Sequence, residues 1–294
     1  MKKIVRVGSR DSKLAVKQTL LALEDVKKIH PEIEFELVTM KTTGDKILDR
    51  NLDQIGGKGL FVKELDTALL SGRVDITVHS LKDLPMEIME EIPLIGYSKR
   101  EDPRDCVIVR KGREKDFSEG CIGTSSGRRM EQLRKLYPNA TFRGIRGNVQ
   151  TRLRKLEEED YAATILARAG LVRLGMEEYI TKTFSVEEVI PAAGQGIVAF
   201  QGRKGEDYSY LDCVCDIDSF YAATAERSFV KYLDGGCSSP IAAYASVNGE
   251  KISLRGLYYH EPAKDFTVGR KEGNVWDAAE IGIELAKELV KMWK

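Results

Sequence analysis

The chain has 294 residues, of which 42% are hydrophobic and 31% charged, with 46 basic side chains against 46 acidic ones. That length calls for two or three domains, and the composition excludes a disordered or fibrous protein. Balanced charge, the lack of any apolar run of membrane-span length and an N-terminus unlike a signal peptide point to a cytoplasmic protein without nucleic-acid or membrane partners.

Strand and helix patterns alternate through the first two-thirds. Ile4–Val7 reads as a strand and Ser12–Ile29 as a helix, with Asp11 as N-cap and Leu14, Leu20, Leu21 and Val26 as its buried stripe. Ile33–Met40 alternates as a strand. Phe61–Leu70 reads as a helix closed by Gly72, and 75–79 as the next strand. A second series follows: strands near 106–109, 121–124, 141–145 and 162–166, with helices at about 126–137 and 149–159. Such alternation predicts α/β domains with parallel sheets and ligand sites beyond the carboxyl ends of the strands. The two series are separated by 100–104 and predict two domains with a cleft between them. The remainder reads as a small α+β domain: a helix at 220–233, two strand-like runs about Asn248-Gly249, a strong hairpin signal, and a closing helix from Val275 to Trp293.

Several segments carry residue types suited to chemistry. Thr42–Gly59 has no convincing period and reads as a mobile lid, ending in Gly56-Gly57-Lys58-Gly59. That run lacks the spacing of a phosphate-binding loop. Asp83 follows an apolar strand and is stiffened by Pro85; capping the next turn is its commoner role. His79 reads as a packing histidine. Between Arg128 and Arg173 lie nine Arg and two Lys against five acids. Arg134, Arg154 and Lys155 suit a solvated helix face. The others suit an anion site, five of them gathered where 123–129 and 143–152 pass from strand to helix, because guanidinium forks and helix-start N–H groups both bind carboxylates. Cys237 follows two glycines on a predicted exposed turn, where a thiol can do covalent chemistry. Five cysteines, an odd number, do not read as a disulfide framework. Cys213 and Cys215 lack companions for a metal site and read as packing residues, so no metal is expected.

Taken in order, Gly8-Ser9-Arg10-Asp11-Ser12, Gly56–Phe61, Val78–Asp83, Arg100–Asp105, Gly123–Arg129, Arg146-Gly147-Asn148, Pro191–Gly196 and Gly235-Gly236-Cys237 resemble the porphobilinogen deaminase (hydroxymethylbilane synthase) family. Gly127 departs from it, since the family commonly has a larger residue there. The resemblance implies two doubly wound α/β domains like those of type II periplasmic binding proteins, plus a small α+β C-terminal domain. The first would comprise residues 1–97 and 197–214, the second 101–193 and the third 218–294.

It further implies a transferase of tetrapyrrole (haem-type) biosynthesis, acting as a monomer. A dipyrromethane cofactor joined to Cys237 would prime four head-to-tail additions of porphobilinogen, each releasing ammonia. The growing linear oligopyrrole would finally be released by water as hydroxymethylbilane. Asp83 would be catalytic, stabilising positive charge and moving protons. Ser80, Lys82, Ser126, Arg128, Arg129 and Arg146 would hold the cofactor. Arg10, Ser12, Arg146, Arg152, Arg173 and Gln195 would hold the substrate, and Lys58 and Phe61 would belong to the lid. The alternative from the residues alone is a two-lobed solute-binding protein, which accounts for the anion site but not for Cys237.

Overall fold

A computed structural model describes residues 3–46, 62–235 and 239–293. The expectations placed on Lys58, Phe61, Cys237 and most of the proposed lid therefore lie outside the described residues. The chain divides into two compact units, Met1–Glu101 with Gly196–Phe220 and Asp102–Gln195 with Tyr221–Lys294.

The first unit is built on β1 (Lys3–Arg10), β2 (Ile33–Met40), β3 (Ile76–Ser80), β4 (Leu94–Tyr97) and β10 (Val198–Gly202), in the order β2-β1-β3-β10-β4. β1 runs parallel to β2 and β3, whereas β10 is antiparallel to both β3 and β4. The sheet is thus mixed, not parallel as the alternation predicted, because the chain returns from residue 196 to insert its last strand backwards. A Cβ at Gly196 would run into the Glu101 carbonyl, and its φ of +90° also favours glycine.

Helix α1 (Lys13–Ile29) follows β1. Its cap is Ser12, whose Oγ accepts from Ala15 N at 3.3 Å, rather than Asp11. The buried stripe also differs from expectation. Ala15, Thr19, Leu23 and Val26 face the core, while Leu20 and Leu21 are exposed. The i, i+4, i+8 spacing of the first three sets the helix rotation, which turns the adjacent leucines outward. Val5, Val7, Ile76, Val78 and Phe200 complete this core with Leu23 and Val26.

After the single turn α2 (Thr43–Lys46), α3 (Lys63–Leu70) buries Leu65, Ala68 and Leu69. Ser71 is its C-cap, and Gly72, at φ +69°, is the residue beyond it. On this helix Asp66 Oδ1 is buried without a hydrogen-bond partner, and burial raises the carboxyl pKa to about 6. A raised native pKa favours the neutral form. Its contribution is whole below the ordinary value of 3.8 and is lost as pH rises through about 6. Asp66→Asn should therefore gain in melting temperature relative to the parent between pH 5 and 8; an unchanged difference across that range would refute it.

The second unit carries two sheets. One is formed by β5 (Asp105–Val109), β6 (Cys121–Gly123), β7 (Thr141–Arg143), β8 (Ala163–Ala167) and β9 (Lys182–Thr183), in the order β7-β6-β8-β5-β9. It too is mixed, with β5 antiparallel to β8 and β9. Helices α4 (Gly127–Leu136) and α5 (Val149–Glu158) are capped by Ser126 and Asn148, and α6 (Arg168–Leu174) ends at Gly175 with φ +64°.

The other sheet is the antiparallel meander β11 (Ala242–Asn248), β12 (Lys251–His260) and β13 (Asp265–Asn274). Helices α7 (Ile217–Tyr232) and α8 (Ala278–Lys291) belong to the C-terminal part of the chain, although α7 begins in the first unit. The turn between β11 and β12 uses Gly249 at φ +60°, as Asn-Gly predicts. The third strand was not anticipated.

Candidate active site

In the first unit a cavity of about 50 Å³ opens where β1 and β3 end. Arg10, Ser12, Gln18, His79, Ser80 and Asp83 supply its polar lining. Arg10 is the last residue of β1, and Asp83 closes a 3₁₀ turn that follows β3 directly. Both sequence-selected side chains are thus delivered by strand ends of one sheet. Arg10 Nη1 stands 3.9 Å from Asp83 Oδ2, too long for a tight pair, and the Asp83 side chain remains 41% exposed.

The other groups of this cavity are largely engaged. Ser12 caps α1, and Ser80 Oγ donates to Gln18 Oε1 at 3.1 Å. His79 is buried, with Nε2 2.8 Å from Thr77 Oγ1. Burial and the nearby charge of Arg10 bring its pKa down to about 4 against an opposing hydrogen bond with Gln201, so the ring is neutral. His79 is a packing residue beside the site, as expected. Lys82 is half-buried in the same turn as Asp83.

The second unit gathers a different set of charges. Arg128 and Arg129 open α4 but do not point freely outward; their side chains are 5% and 8% exposed. Arg129 Nη2 donates to Asp105 Oδ1 at 2.7 Å and Nη1 to the Ile165 carbonyl. Arg128 Nη1 lies 2.8 Å from Asp105 Oδ2 but aims its aligned hydrogen bond at the Ile190 carbonyl. Burial alone would raise the Asp105 carboxyl; the two guanidiniums outweigh it and hold it far below the usual carboxylate range.

One carboxylate between two guanidiniums leaves this buried cluster with an excess positive charge. Arg129 Nε is buried without a hydrogen-bond partner, a donor with its direction fixed and no acceptor. Asp105 Oδ2 is likewise buried without an aligned hydrogen bond; a net positive cluster with an unmet donor suits an anionic partner. Removing Asp105 would leave two buried cations uncompensated. Asp105→Ala should destabilise the protein by about 3–5 kcal/mol, measurable by denaturant unfolding. A cost under about 1 kcal/mol, the range of an exposed pair, would show the cluster to be unimportant for stability.

The remaining predicted residues are distributed through the same unit. Ser126 Oγ accepts from Arg129 N at 3.4 Å, so it caps α4. Arg152 Nε donates to the Gly147 carbonyl at 2.8 Å, folding back on the turn before α5. Arg146 is half-buried in that turn, and Arg173 is half-buried in the last turn of α6. Gln195 Nε2 donates to the Pro103 carbonyl and to Asp105 Oδ1. Arg134 and Arg154 pair with Glu131 and Glu158 of their own helices, and Lys155 with Glu159 just beyond α5, as a solvated face should. Cys215 packs on the first core, whereas Cys213 is exposed and not the packing residue expected. Among the described residues no His, Cys, Asp and Glu group could hold a metal.

Asp105 falls within the Arg100–Asp105 motif, and its sequence context assigns it no role. The available signal was a lone acid leading the apolar strand Cys106–Val109. A charge there requires a buried counter-charge, but nothing local names its partners.

Comparison with known proteins agrees over nearly the whole chain. Residues 5–210 match the family model for the porphobilinogen deaminase, dipyromethane cofactor binding domain, and residues 220–291 the porphobilinogen deaminase, C-terminal domain. The chain is 54% identical to a porphobilinogen deaminase of Acetivibrio thermocellus, covering 98% of each chain. It is 51% identical to that of Alkaliphilus oremlandii, covering 97% of this chain and 96% of the relative. Among solved structures, the methionine binding protein MetQ superposes with a TM-score of 0.44 at 11% identity, over 74% of this chain and 90% of that one.

Proposed function

Because the chain belongs to the porphobilinogen deaminase family, we propose that it condenses four porphobilinogen molecules head to tail on a dipyrromethane carried by Cys237. Ammonia leaves at each addition, and water finally releases hydroxymethylbilane. The observation that carries this reading is the pair of family models, which together take in both α/β sheets and the C-terminal meander. A cytoplasmic monomer belongs to the same proposal and follows from the family alone, whereas independence of nucleic acid and membrane is supported by the balanced charge.

The residues present fit a polycarboxylated pyrrole. Each ring of such a chain brings an acetate and a propionate, and the Arg129 Nε donor and the excess charge of the Asp105 cluster both call for carboxylate oxygens. Arg128, Arg129 and Arg146 of the second unit would hold the cofactor; Ser80, Lys82 and Ser126 belong to the same proposal. Arg10, Arg152 and Arg173 would hold the substrate, with Ser12 assisting. When bound, the dipyrromethane supplies the pyrrole carbon to which the first substrate is joined.

The chemistry required of the protein is then chiefly electrostatic. Loss of ammonia from porphobilinogen leaves an electron-poor unit, and the condensation that follows develops positive charge on pyrrole nitrogen. Asp83, fixed by its 3₁₀ turn yet exposed enough to be reached, offers a carboxylate against that charge and an acceptor for the pyrrole N–H proton. Arg10 can take a substrate carboxylate at the same place, setting which face of the ring meets Asp83. His79, being neutral, adds no competing positive charge.

The test is mass and product together. Purified protein should be heavier than its sequence by two linked pyrroles, should give the colour of pyrroles with an aldehyde reagent, and should convert porphobilinogen to a linear tetrapyrrole. A mass equal to the sequence, with porphobilinogen bound but unconverted, would favour a solute-binding protein instead.

A further inference from the structure

Gln195 ends the second unit's stretch of chain before the return to the first, and it is 1% exposed. Its amide nitrogen has two N–H groups, and both are engaged. One donates to the Pro103 carbonyl at 2.7 Å and the other to Asp105 Oδ1 at 2.9 Å. The same Oδ1 receives Arg129 Nη2 at 2.7 Å. Gln195 is itself held from two sides. Its backbone N–H donates to the Ala192 carbonyl, and the preceding N–H, of Gly194, donates to Glu226 Oε2 at 2.7 Å. The other oxygen of Glu226 accepts from Ala245 N in β11.

Glu226 lies on α7 and Ala245 on β11, the helix and strand that precede and follow the Cys237 segment. An unbroken chain of buried hydrogen bonds therefore runs from those two elements through residues 194 and 195 to Asp105 and the first turn of α4. A side chain with both donors committed inside the protein is poorly placed to recognise substrate directly. It is well placed to decide how the Asp105 carboxylate turns, and hence where Arg129 points.

We propose that Gln195 is a positioning residue, which sets Arg129 through Asp105 and registers the α4 arginines against the elements that carry the cofactor segment. The inference rests on the reading that these arginines hold pyrrole carboxylates. Gln195 thus acts on binding from behind the site, and Glu226 anchors its backbone.

The experiment is a double-mutant cycle in the full-length chain, using Gln195→Met, which keeps length without donors, and Arg129→Lys. Covalent cofactor occupancy is read by intact mass, KM and kcat for porphobilinogen are read on the loaded fraction, and melting temperature is read alongside. Gln195→Met should raise KM by about tenfold, the worth of one hydrogen bond, or lower occupancy correspondingly, with kcat less affected. In the Arg129→Lys background the same change should add little. Equal effects in both backgrounds would overturn the proposal and leave Gln195 a structural residue. Wild-type KM and occupancy in Gln195→Met, with Arg129→Lys impaired, would overturn it too. If Arg129→Lys is itself normal, the reading of the arginines fails first. Should Gln195→Met be insoluble, Gln195→Asn, a shorter amide, carries the test with the same outcomes.

Discussion

Asp83→Asn should leave a folded protein that still takes up porphobilinogen but turns it over roughly 10²–10³-fold more slowly, the usual loss when one group opposing transition-state charge is removed. The substitution keeps the volume and planar shape of the side chain and takes away its charge. Little stability should go with it, since Asp83 is partly exposed and its contact with Arg10 spans 3.9 Å. Pairs of that kind are worth about 0–1 kcal/mol. If Asp83 also relays protons, the deficit exceeds what charge loss alone produces, because an amide cannot accept the proton that a carboxylate can. Single-turnover measurements isolate the chemical step from product release. Near-normal single-turnover rates in a variant of unchanged melting temperature would remove Asp83 from the mechanism.

Cys237→Ser should yield protein whose mass equals its sequence and whose turnover is abolished. Carbon–sulfur bond formation needs a soft nucleophile, and a thiol is a few per cent thiolate near neutrality, whereas a serine hydroxyl is not ionised without an activating base. Without a covalent primer, substrate has nothing to extend. Of the five cysteines, Cys106 is a poor competitor for this role, since burial pushes its thiol up to about 12. Cys213 is exposed and belongs to the first unit. Cys213→Ser should therefore keep both the added mass and the turnover. A cofactor that persists in Cys237→Ser and disappears in Cys213→Ser would reverse the assignment.

The parts of the fold that were legible are those whose signal is local. Ile33–Met40 was read to the residue, and the Asn248-Gly249 turn joined the strands it should, because period and turn chemistry act over a few positions. β10, Val198–Gly202, was not read as a strand. It is buried along its whole length, so it shows no alternation, and its partners lie about a hundred residues or more away in sequence. β13 was missed for the opposite reason, since its polar run Arg270-Lys271-Glu272 becomes a strand only by pairing with β12.

The site shows the same division. Asp83 was legible because it follows a recognisable strand, whereas Arg10 stood out only through the family resemblance. The arginine surplus between 128 and 173 was legible as a demand for anions. That the first two of those arginines turn donors to groups inside the protein was not, because Asp105, Ile165 and Ile190 reach them only through the tertiary fold.

The late arrival of β10 also bears on how the protein comes off the ribosome. The first sheet needs residues 198–202 between β3 and β4, and β4 has no other neighbour in that sheet. The second sheet is complete once residue 183 has emerged. So the N-terminal third, though made first, must wait for about a hundred further residues, some 5–20 s at ordinary translation rates, with one edge of β3 open and its Ile76 and Val78 uncovered by Phe200. Order of synthesis and order of completion are thus reversed, and the nascent chain's period of greatest exposure to chaperones and to misassociation should fall before residue 202 clears the exit tunnel.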